Sequence, residues 1–355
     1  MTDNSQHIAI LGAGIMGLNA AFMLEREGVK VTLYDAAGFP ANNASFIAGG
    51  MLAPYSEIDH MGAAFLPACF ASIDLWEGIN KALNTDIEFQ RSQSLIIAHQ
   101  EDRHMAQRFE SYLPAGDKNI SRIDVKTRAP MLAKFKTALA LHGEASLHPA
   151  KTMQALCDYL RSRITLKTQN AAPSDIAAQY DHVIDCRGMG AKDDLVEIGH
   201  ELRGVKGEIV VVRNADFTLP CPVRLMHPRY PLYIVPRADN QFMIGASVIE
   251  TSDSKQPSLQ SAMELMSALY SLHPSFGDAK IVEIAANIRP SFKNNIPQII
   301  TDGSIIHCNG LFRHGYLMAP IMAQIVSDFT RGKTHLHQNL FMKTHIKTVQ
   351  ERDAA

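Results

Sequence analysis

The run from His7 to Asp35 restricts what this chain can fold into more than any other. It opens with the apolar stretch His7-Ile-Ala-Ile-Leu11, turns through Gly12-Ala-Gly14-Ile15-Met16-Gly17, and continues into an Ala-rich segment that ends at Gly28. Val29-Lys-Val-Thr-Leu-Tyr34 then leads to Asp35. This pattern predicts a strand, a glycine turn, a helix over residues 18–28 and a second strand ending in a carboxylate. Gly12 allows the tight turn, Gly14 lets the backbone approach a pyrophosphate, and Gly17 lets helix pack closely on strand. The helix N-terminus directs its partial positive charge at the phosphates, and Asp35 stands where a ribose hydroxyl needs an acceptor. Gly12, Gly14, Ile15, Met16, Gly17 and Asp35 are therefore candidate cofactor contacts. A glycine-rich turn that binds nothing is the competing reading, and the flanking strand, helix and acidic residue argue against it. Asp35, in place of a small residue followed by Arg, disfavours a 2′-phosphate and hence NADP. FAD and NAD both stay open on this motif alone.

With 355 residues, 46% of them hydrophobic, the chain is long enough for two interleaved domains. The formal charge of −2 comes from 34 basic and 36 acidic residues spread evenly. No dense Lys/Arg cluster suggests a nucleic-acid footprint, so no nucleic-acid partner is expected. Cys69, Cys157, Cys186, Cys221 and Cys308 are scattered without CxxC or Cys/His ligand spacing. They read as buried thiols in a reducing compartment. The polar start Thr2-Asp-Asn-Ser-Gln6 has no signal-peptide character, and the glycines and Asn19 within residues 8–24 argue against a membrane span. The expectation is a cytoplasmic protein with no membrane partner.

Beyond Asp35 the chain carries a second glycine feature, Ser45-Phe-Ile-Ala48-Gly49-Gly50-Met51-Leu52-Ala-Pro54. Two adjacent glycines among apolar residues predict a loop pressed against a flat ligand, rather than a flexible linker. Ser45, Ala48, Gly49, Gly50, Met51 and Leu52 join the cofactor candidates. Ile73, Trp76, Ile79 and Leu83 fall at helical spacing, Leu95-Ile-Ile-Ala98 reads as strand, and charges dominate residues 101–128. From Pro149 the stripe Met153, Leu156, Cys157 and Leu160 predicts a helix. A short strand near residues 164–166 follows, then His182-Val-Ile-Asp-Cys186 leading into Arg187-Gly188-Met-Gly190. Glycines at the carboxyl end of such a strand occupy the place where doubly wound sheets hold ligands, against a simple strand-ending turn. Residues 207–249 read as successive strands, with the Ala238-Asp-Asn240 link predicting an antiparallel hairpin. Leu259, Met263, Met266 and Leu269 form a helix stripe expected to pack on that sheet, and residues 280–288 form one more strand before Arg289-Pro290. The last unit repeats the first: strand Ser304-Ile-Ile-His-Cys308, glycine turn Asn309-Gly310-Leu-Phe-Arg313-His314-Gly315, and an apolar helix from Tyr316. Its tail, residues 330–355, reads as a polar surface segment.

Together these motifs resemble the FAD-dependent amine and amino-acid oxidases typified by D-amino-acid oxidase, and within them most closely the glycine oxidases of thiamine biosynthesis. The resemblance rests on Gly12 to Gly17 with Asp35, the Ala44 to Pro54 run, Asp185-Cys-Arg-Gly-Met-Gly-Ala191, Leu202-Arg-Gly-Val-Lys-Gly-Glu208, Tyr233-Ile-Val-Pro-Arg237, Ile288-Arg-Pro290 and Phe312-Arg-His-Gly-Tyr-Leu-Met-Ala-Pro320. It implies an α/β plus α+β protein: a discontinuous Rossmann-like FAD-binding domain (residues 1–75, 145–204 and 286–355) with an inserted antiparallel-sheet substrate domain (76–144 and 205–285) that roofs the isoalloxazine. It implies that Arg289 pairs with a substrate carboxylate, that Tyr233 hydrogen-bonds to it, and that Arg313 lies beside flavin and substrate. Gly188, Gly310, Arg313, His314, Gly315 and Tyr316 complete the implied FAD contacts. The FAD should be noncovalent, because no cysteine stands where the sarcosine oxidase branch tethers its flavin. His314 replaces a frequent Asn, and the Met226-His-Pro-Arg-Tyr-Pro231 segment departs from the family, leaving His227 and Tyr230 without an assigned role.

The implied activity is oxidation of glycine or a similarly small amine or D-amino acid to the imine. Molecular oxygen would be reduced to hydrogen peroxide, and the imine would feed thiazole synthesis. The flavin carries the hydride transfer, so no catalytic acid/base pair is required. A planar guanidinium clamps a carboxylate through two parallel hydrogen bonds, which suits Arg289. Without the resemblance, Arg289 reads as part of a solvated strand face shared with Glu283 and Asn287, Tyr233 as a core ring, and Arg313 as a surface cation. The fifteen histidines give no metal-ligand spacing, so no metal is expected. Two other readings compete: a D-amino-acid dehydrogenase passing electrons to a quinone, and an FAD-dependent oxidase of a modified tRNA base. Related enzymes are often homo-oligomers, and the resemblance implies the same here.

Overall fold

The computed structural model describes residues 6–228, 232–252 and 256–344; Tyr230 and the end of the tail lie outside them. The chain forms two compact units, each assembled from separate segments. Residues 1–41, 156–203 and 290–355 make the first, and residues 42–155 and 204–289 the second. Residues 42–75, 145–155, 204 and 286–289, grouped above with the nucleotide-binding segments, cluster with the second unit.

The first unit is built on a seven-stranded sheet in the order Met342–Thr344, Gln298–Asp302, Ile305–Asn309, His182–Asp185, His7–Leu11, Lys30–Tyr34, Thr165–Lys167. The glycine-turn strand lies inside it, with Ala9 opposite Thr32 on one side and Val183 on the other, both in parallel register. Ile8, Ala9, Ile10 and Leu11 are almost wholly buried, as expected where helices cover both faces of a parallel sheet. The one antiparallel pair, Gln298–Asp302 with Ile305–Asn309, is a hairpin closed at Gly303. The helices Ile15–Arg26 and Gly315–Thr330 pack on each other within this unit and bury nearly their whole circumference. All five cysteines are buried free thiols. No described helix is long and apolar enough to cross a membrane.

The second unit carries a ten-stranded sheet whose central strands are Leu202–Arg213, Gln241–Gly245, Leu232–Arg237, Val223–Met226, Gln90–Ala98 and Thr137–Ser146. The 238–240 link closes an antiparallel hairpin, with Asp239 and Asn240 both at positive φ. Leu202–Arg213 pairs antiparallel with Gln241–Gly245, and Thr137–Ser146 antiparallel with Met51–Leu52 and Gln90–Ala98, whereas Val223–Met226 runs parallel to Gln90–Ala98. Alternation along the strands gives each face its own apolar set. Val210, Val212, Ile234, Phe242 and Ile244 meet the helix Leu259–Leu272, whereas Ile209, Val211, Val235 and Met243 meet Ile47 and Met51.

The contact face of that helix bears out half of the expected stripe, Met266 and Leu269, and corrects the other half. Leu265, Ala268, Leu269 and Leu272 are buried, whereas Leu259 is 77% and Met263 57% exposed. Two apolar stripes run along this helix, and the one ending at Leu272 wins because it reaches Phe217 and Phe276 in the core. Leu265→Ala is therefore expected to cost about 2–5 kcal/mol and Met263→Ser less than about 0.5 kcal/mol, measured by urea unfolding.

A carboxylate is buried among these strands. Glu144, 2% exposed, accepts hydrogen bonds from the backbone N–H of Tyr55 and from Ser94 Oγ. Burial outweighs them and raises its pKa from an ordinary 4.5 to about 8. Between those values the folded protein holds a proton that the unfolded chain releases, so stability falls as pH rises through this window. Urea unfolding at pH 5 and pH 8 should show a smaller difference in Glu144→Gln than in the wild-type protein.

Candidate active site

In the first unit the sequence-predicted residues converge at the carboxyl ends of the central strands. Gly12 has φ of +95°, and a Cβ there would stand 2.6 Å from the Cys186 carbonyl oxygen. A Cβ on Gly17 would lie 1.9 Å from the Gly12 oxygen, so helix and turn touch backbone to backbone. Gly14 caps the helix Ile15–Arg26 in an extended conformation, without a side-chain hydrogen bond and with no acidic residue in the first turn. Ile15 and Met16, buried, start that helix. The helix Gly315–Thr330 likewise begins after His314 with no side-chain cap and no first-turn acid. A Cβ on Gly315 would meet Ile15 at 3.5 Å, which sets the starts of the two helices side by side. Two positive helix ends side by side favour a ligand with concentrated negative charge. Asp35 ends the neighbouring strand, and its two oxygens accept from the backbone N–H groups of Ala13 (2.7 Å) and Ala37 (2.8 Å). Four lone-pair directions leave this half-buried carboxylate capacity for a sugar hydroxyl.

The two turns flanking this region are tied together. Asn309 donates to the Gly188 carbonyl at 2.9 Å, and its own Oδ1 accepts from Gly310 N. Gly310 and Gly188 both have positive φ, and a Cβ on Gly310 would overlap the Phe292 ring. His314 and Tyr316 are buried and Arg313 is half-buried, on the segment between that turn and the helix. Asp185, fully buried, receives Arg187 Nε at 2.8 Å and His307 Nδ1 at 3.0 Å. Burial alone would raise its carboxyl, yet these partners hold it at about 2, so it stays ionised and braces Arg187 beside Gly188.

The second unit places Tyr233 and Arg289 on one face of its sheet. Ile209, Gly245 and Tyr233 lie in register across three strands, and a Cβ on Gly245 would meet the Tyr233 ring at 2.8 Å. Two residues along from Ile209, a Cβ on Gly207 would fall 1.9 Å from Arg289 Nη2. The guanidinium therefore lies over the missing side chain of Gly207, donating from Nη1 to the Ser247 carbonyl at 3.2 Å. The double-glycine loop reaches the same face: a Cβ on Gly49 would meet Tyr233 and Met243 at 2.9 Å. Gly50, at φ +73°, is pressed on the Leu147 carbonyl, and Met51–Leu52 pairs with Ser146 and Ala145. Ser45 N is held by Asn43 Oδ1, and Arg237 donates to the Ala48 carbonyl at 3.3 Å and to His148 Nε2 at 3.5 Å. Burial and the Arg237 charge lower His148 to about 4, so its ring stays neutral beside the guanidinium. Glycines 207 and 245, which give Arg289 and Tyr233 their room, carried no assigned role in the sequence reading; glycine inside a strand is the signal that marks them.

These features define a class: a flavin-type dinucleotide fold joined to a sheet unit that presents an arginine and a tyrosine on one apolar face. The model of the FAD dependent oxidoreductase family matches residues 7–329, and the chain belongs to that family. It is an FAD-dependent oxidoreductase, and the bare glycine turn, the paired helix ends and Asp35 fit FAD. A Rhizobium etli protein named for thiamine biosynthesis, ThiO, is 38% identical over 322 residues, covering 89% of this chain and 94% of that one. The glycine oxidase of Pseudomonas putida is 23% identical, covering 92% of this chain and 95% of its own length. The fold superposes on the glycine oxidase structure from Geobacillus kaustophilus with a TM-score of 0.84 at 21% identity, covering 97% of this chain and all of that one.

Since Gly17 has no room for a methyl group, Gly17→Ala should purify with most of its FAD missing. Gly207→Ala should keep a full complement, which flavin absorbance per protein measures directly.

Proposed function

We propose that this protein oxidises glycine, or a comparably small amino acid, to the imine, with molecular oxygen reduced to hydrogen peroxide and the imine supplied to thiazole formation in thiamine biosynthesis. The observation that carries this reading is Arg289 seated over Gly207 on the sheet face that also holds Tyr233. The 38% identity to a relative named for thiamine biosynthesis supports the pathway, and the glycine oxidases among the relatives support the substrate class.

FAD, when bound, supplies the acceptor for the hydride from the substrate Cα. The residues of this chain bind and orient. Arg289 clamps the substrate carboxylate, and the Tyr233 hydroxyl, with its ring held between Gly49 and Gly245, donates to the same group. The apolar surround of Ile209, Val211, Val235 and Met243 sheds water, which strengthens the ion pair and favours the neutral amine. Arg313, half-buried just before the helix Gly315–Thr330, would contact the flavin, and the two helix N-termini would favour negative charge on the cofactor. Ser45, Ala48 to Leu52 and the Gly310 to Tyr316 segment make the remaining FAD contacts in this reading. The buried free thiols suit a reducing, cytoplasmic location.

Anaerobic addition of glycine should bleach the oxidised flavin band, and readmitted oxygen should restore it with one peroxide per glycine. Arg289→Ala should retain its flavin while kcat/KM for glycine falls about 100-fold, the size expected for a lost charged hydrogen-bond pair. A flavin that glycine fails to bleach overturns the substrate; bleaching without reoxidation by oxygen overturns the acceptor.

A further inference from the structure

Arg289 Nη1 donates to the Ser247 carbonyl, and that carbonyl is fixed from behind the sheet. Ser247 is pinned to Glu208 three times: its Oγ donates to Glu208 Oε2 at 3.0 Å, the same Oγ accepts from Glu208 N at 3.0 Å, and its own N donates to the Glu208 carbonyl at 3.3 Å. Side chains alternate along the strand Leu202–Arg213, so Gly207 opens towards Arg289 while Glu208 and Lys206 project to the opposite face. There Glu208 is 1% exposed and pairs with Lys206 Nζ at 2.9 Å. Its Oε1 also accepts from Ser258 N at 2.8 Å, at the cap of the helix Leu259–Leu272.

A buried carboxylate is an expensive way to join helix to sheet, since apolar residues of the same volume do so without desolvating a charge. What the charge adds is direction: it fixes a serine whose carbonyl sets the plane of a guanidinium. We propose that Glu208 is a positioning residue for substrate-carboxylate recognition, acting on Arg289 through Ser247 without touching the substrate. The proposal rests on the reading of Arg289 as the carboxylate anchor. A guanidinium free to rotate loses one of its two parallel hydrogen bonds to a carboxylate, so the effect falls on binding and much less on the step that follows.

The test uses FAD-loaded protein and glycolate, a carboxylate ligand without an amine, titrated by perturbation of the flavin spectrum. It is paired with anaerobic stopped-flow reduction by glycine. Glu208→Ala should weaken glycolate at least 10-fold and raise the glycine concentration for half-maximal reduction by a similar factor. Flavin content and the limiting reduction rate should stay within about threefold of the wild-type protein. Glu208→Gln, which keeps a carbonyl oxygen for Ser258 N and Lys206 and turns an amide NH2 towards the Ser247 hydroxyl, which can accept it, should recover most of the glycolate affinity. Ser247→Ala removes the hydroxyl link while leaving the Lys206 pair intact; it should weaken glycolate in the same direction, and it decides the matter if Glu208→Ala does not fold. Unchanged glycolate affinity in Ser247→Ala, or a Glu208→Ala defect confined to the limiting rate, overturns the proposal. Arg289→Ala separates the two levels: if it binds glycolate as tightly as the wild-type protein, the anchor reading itself fails.

Discussion

The first unit depends on a contact between backbones. At Gly12 the chain leaves its strand against the Cys186 carbonyl, and the helix that follows returns so closely that Gly17 rests on the Gly12 oxygen. No side chain fits at either point, and interiors packed at crystal density give way little. This crowding sets where the helix Ile15–Arg26 begins, and hence where its positive end lies. The helix Gly315–Thr330 is placed in turn by packing on it, with Gly315 against Ile15. Asp35, reaching back to Ala13 N, fixes the turn from the neighbouring strand. A cofactor site of this kind is made by excluding side chains, after which dipoles and N–H groups remain as the available chemistry.

The second unit solves a different problem by the same economy. Arg289 and Tyr233 are large, and each occupies the volume left by a strand glycine, Gly207 and Gly245. The polar groups that hold the arginine lie partly on the other face of the sheet, where Glu208 joins strand, Ser247 and helix cap. The arginine is thus presented on one face while the carboxylate that fixes its acceptor is buried on the other, beside the helix Leu259–Leu272.

Much of this was legible in the sequence, for reasons that differ by element. The glycine turn, the strands beside it and the helix Pro149–Arg161 follow local rules, and both the unbroken apolar runs and the Met153-Leu156-Leu160 stripe record the burial that the structure has. The Leu259–Leu272 helix was legible as a helix and its facing only in part, Met266 and Leu269 packing on the core and Leu259 and Met263 not. Its sequence offers apolar positions on two sides, and only the location of Phe217 and Phe276 decides between them. The strand Thr137–Ser146 has no turn glycine or β-branched run to announce it; it is a strand because Gln90–Ala98 and Ile120–Asp124 pair with it. Arg289 and Tyr233 entered through family motifs, since an arginine on a strand is ordinarily a solvated one. Glu208 and Ser247 lie 39 residues apart, and no local pattern relates them.

The segmental make-up of the first unit has a consequence for synthesis. Its central strand, His7–Leu11, leaves the ribosome well before its sheet neighbour His182–Asp185, and Ile305–Asn309 follows later still. At about 5–20 residues per second, the opening strand and its glycine turn wait roughly 15–60 s for the last parallel neighbour and the covering helix. During that interval an apolar strand and half a phosphate turn are held by the nascent chain alone. The glycine turn at residues 12–17 therefore exists as sequence long before the sheet that makes it a flavin site is complete.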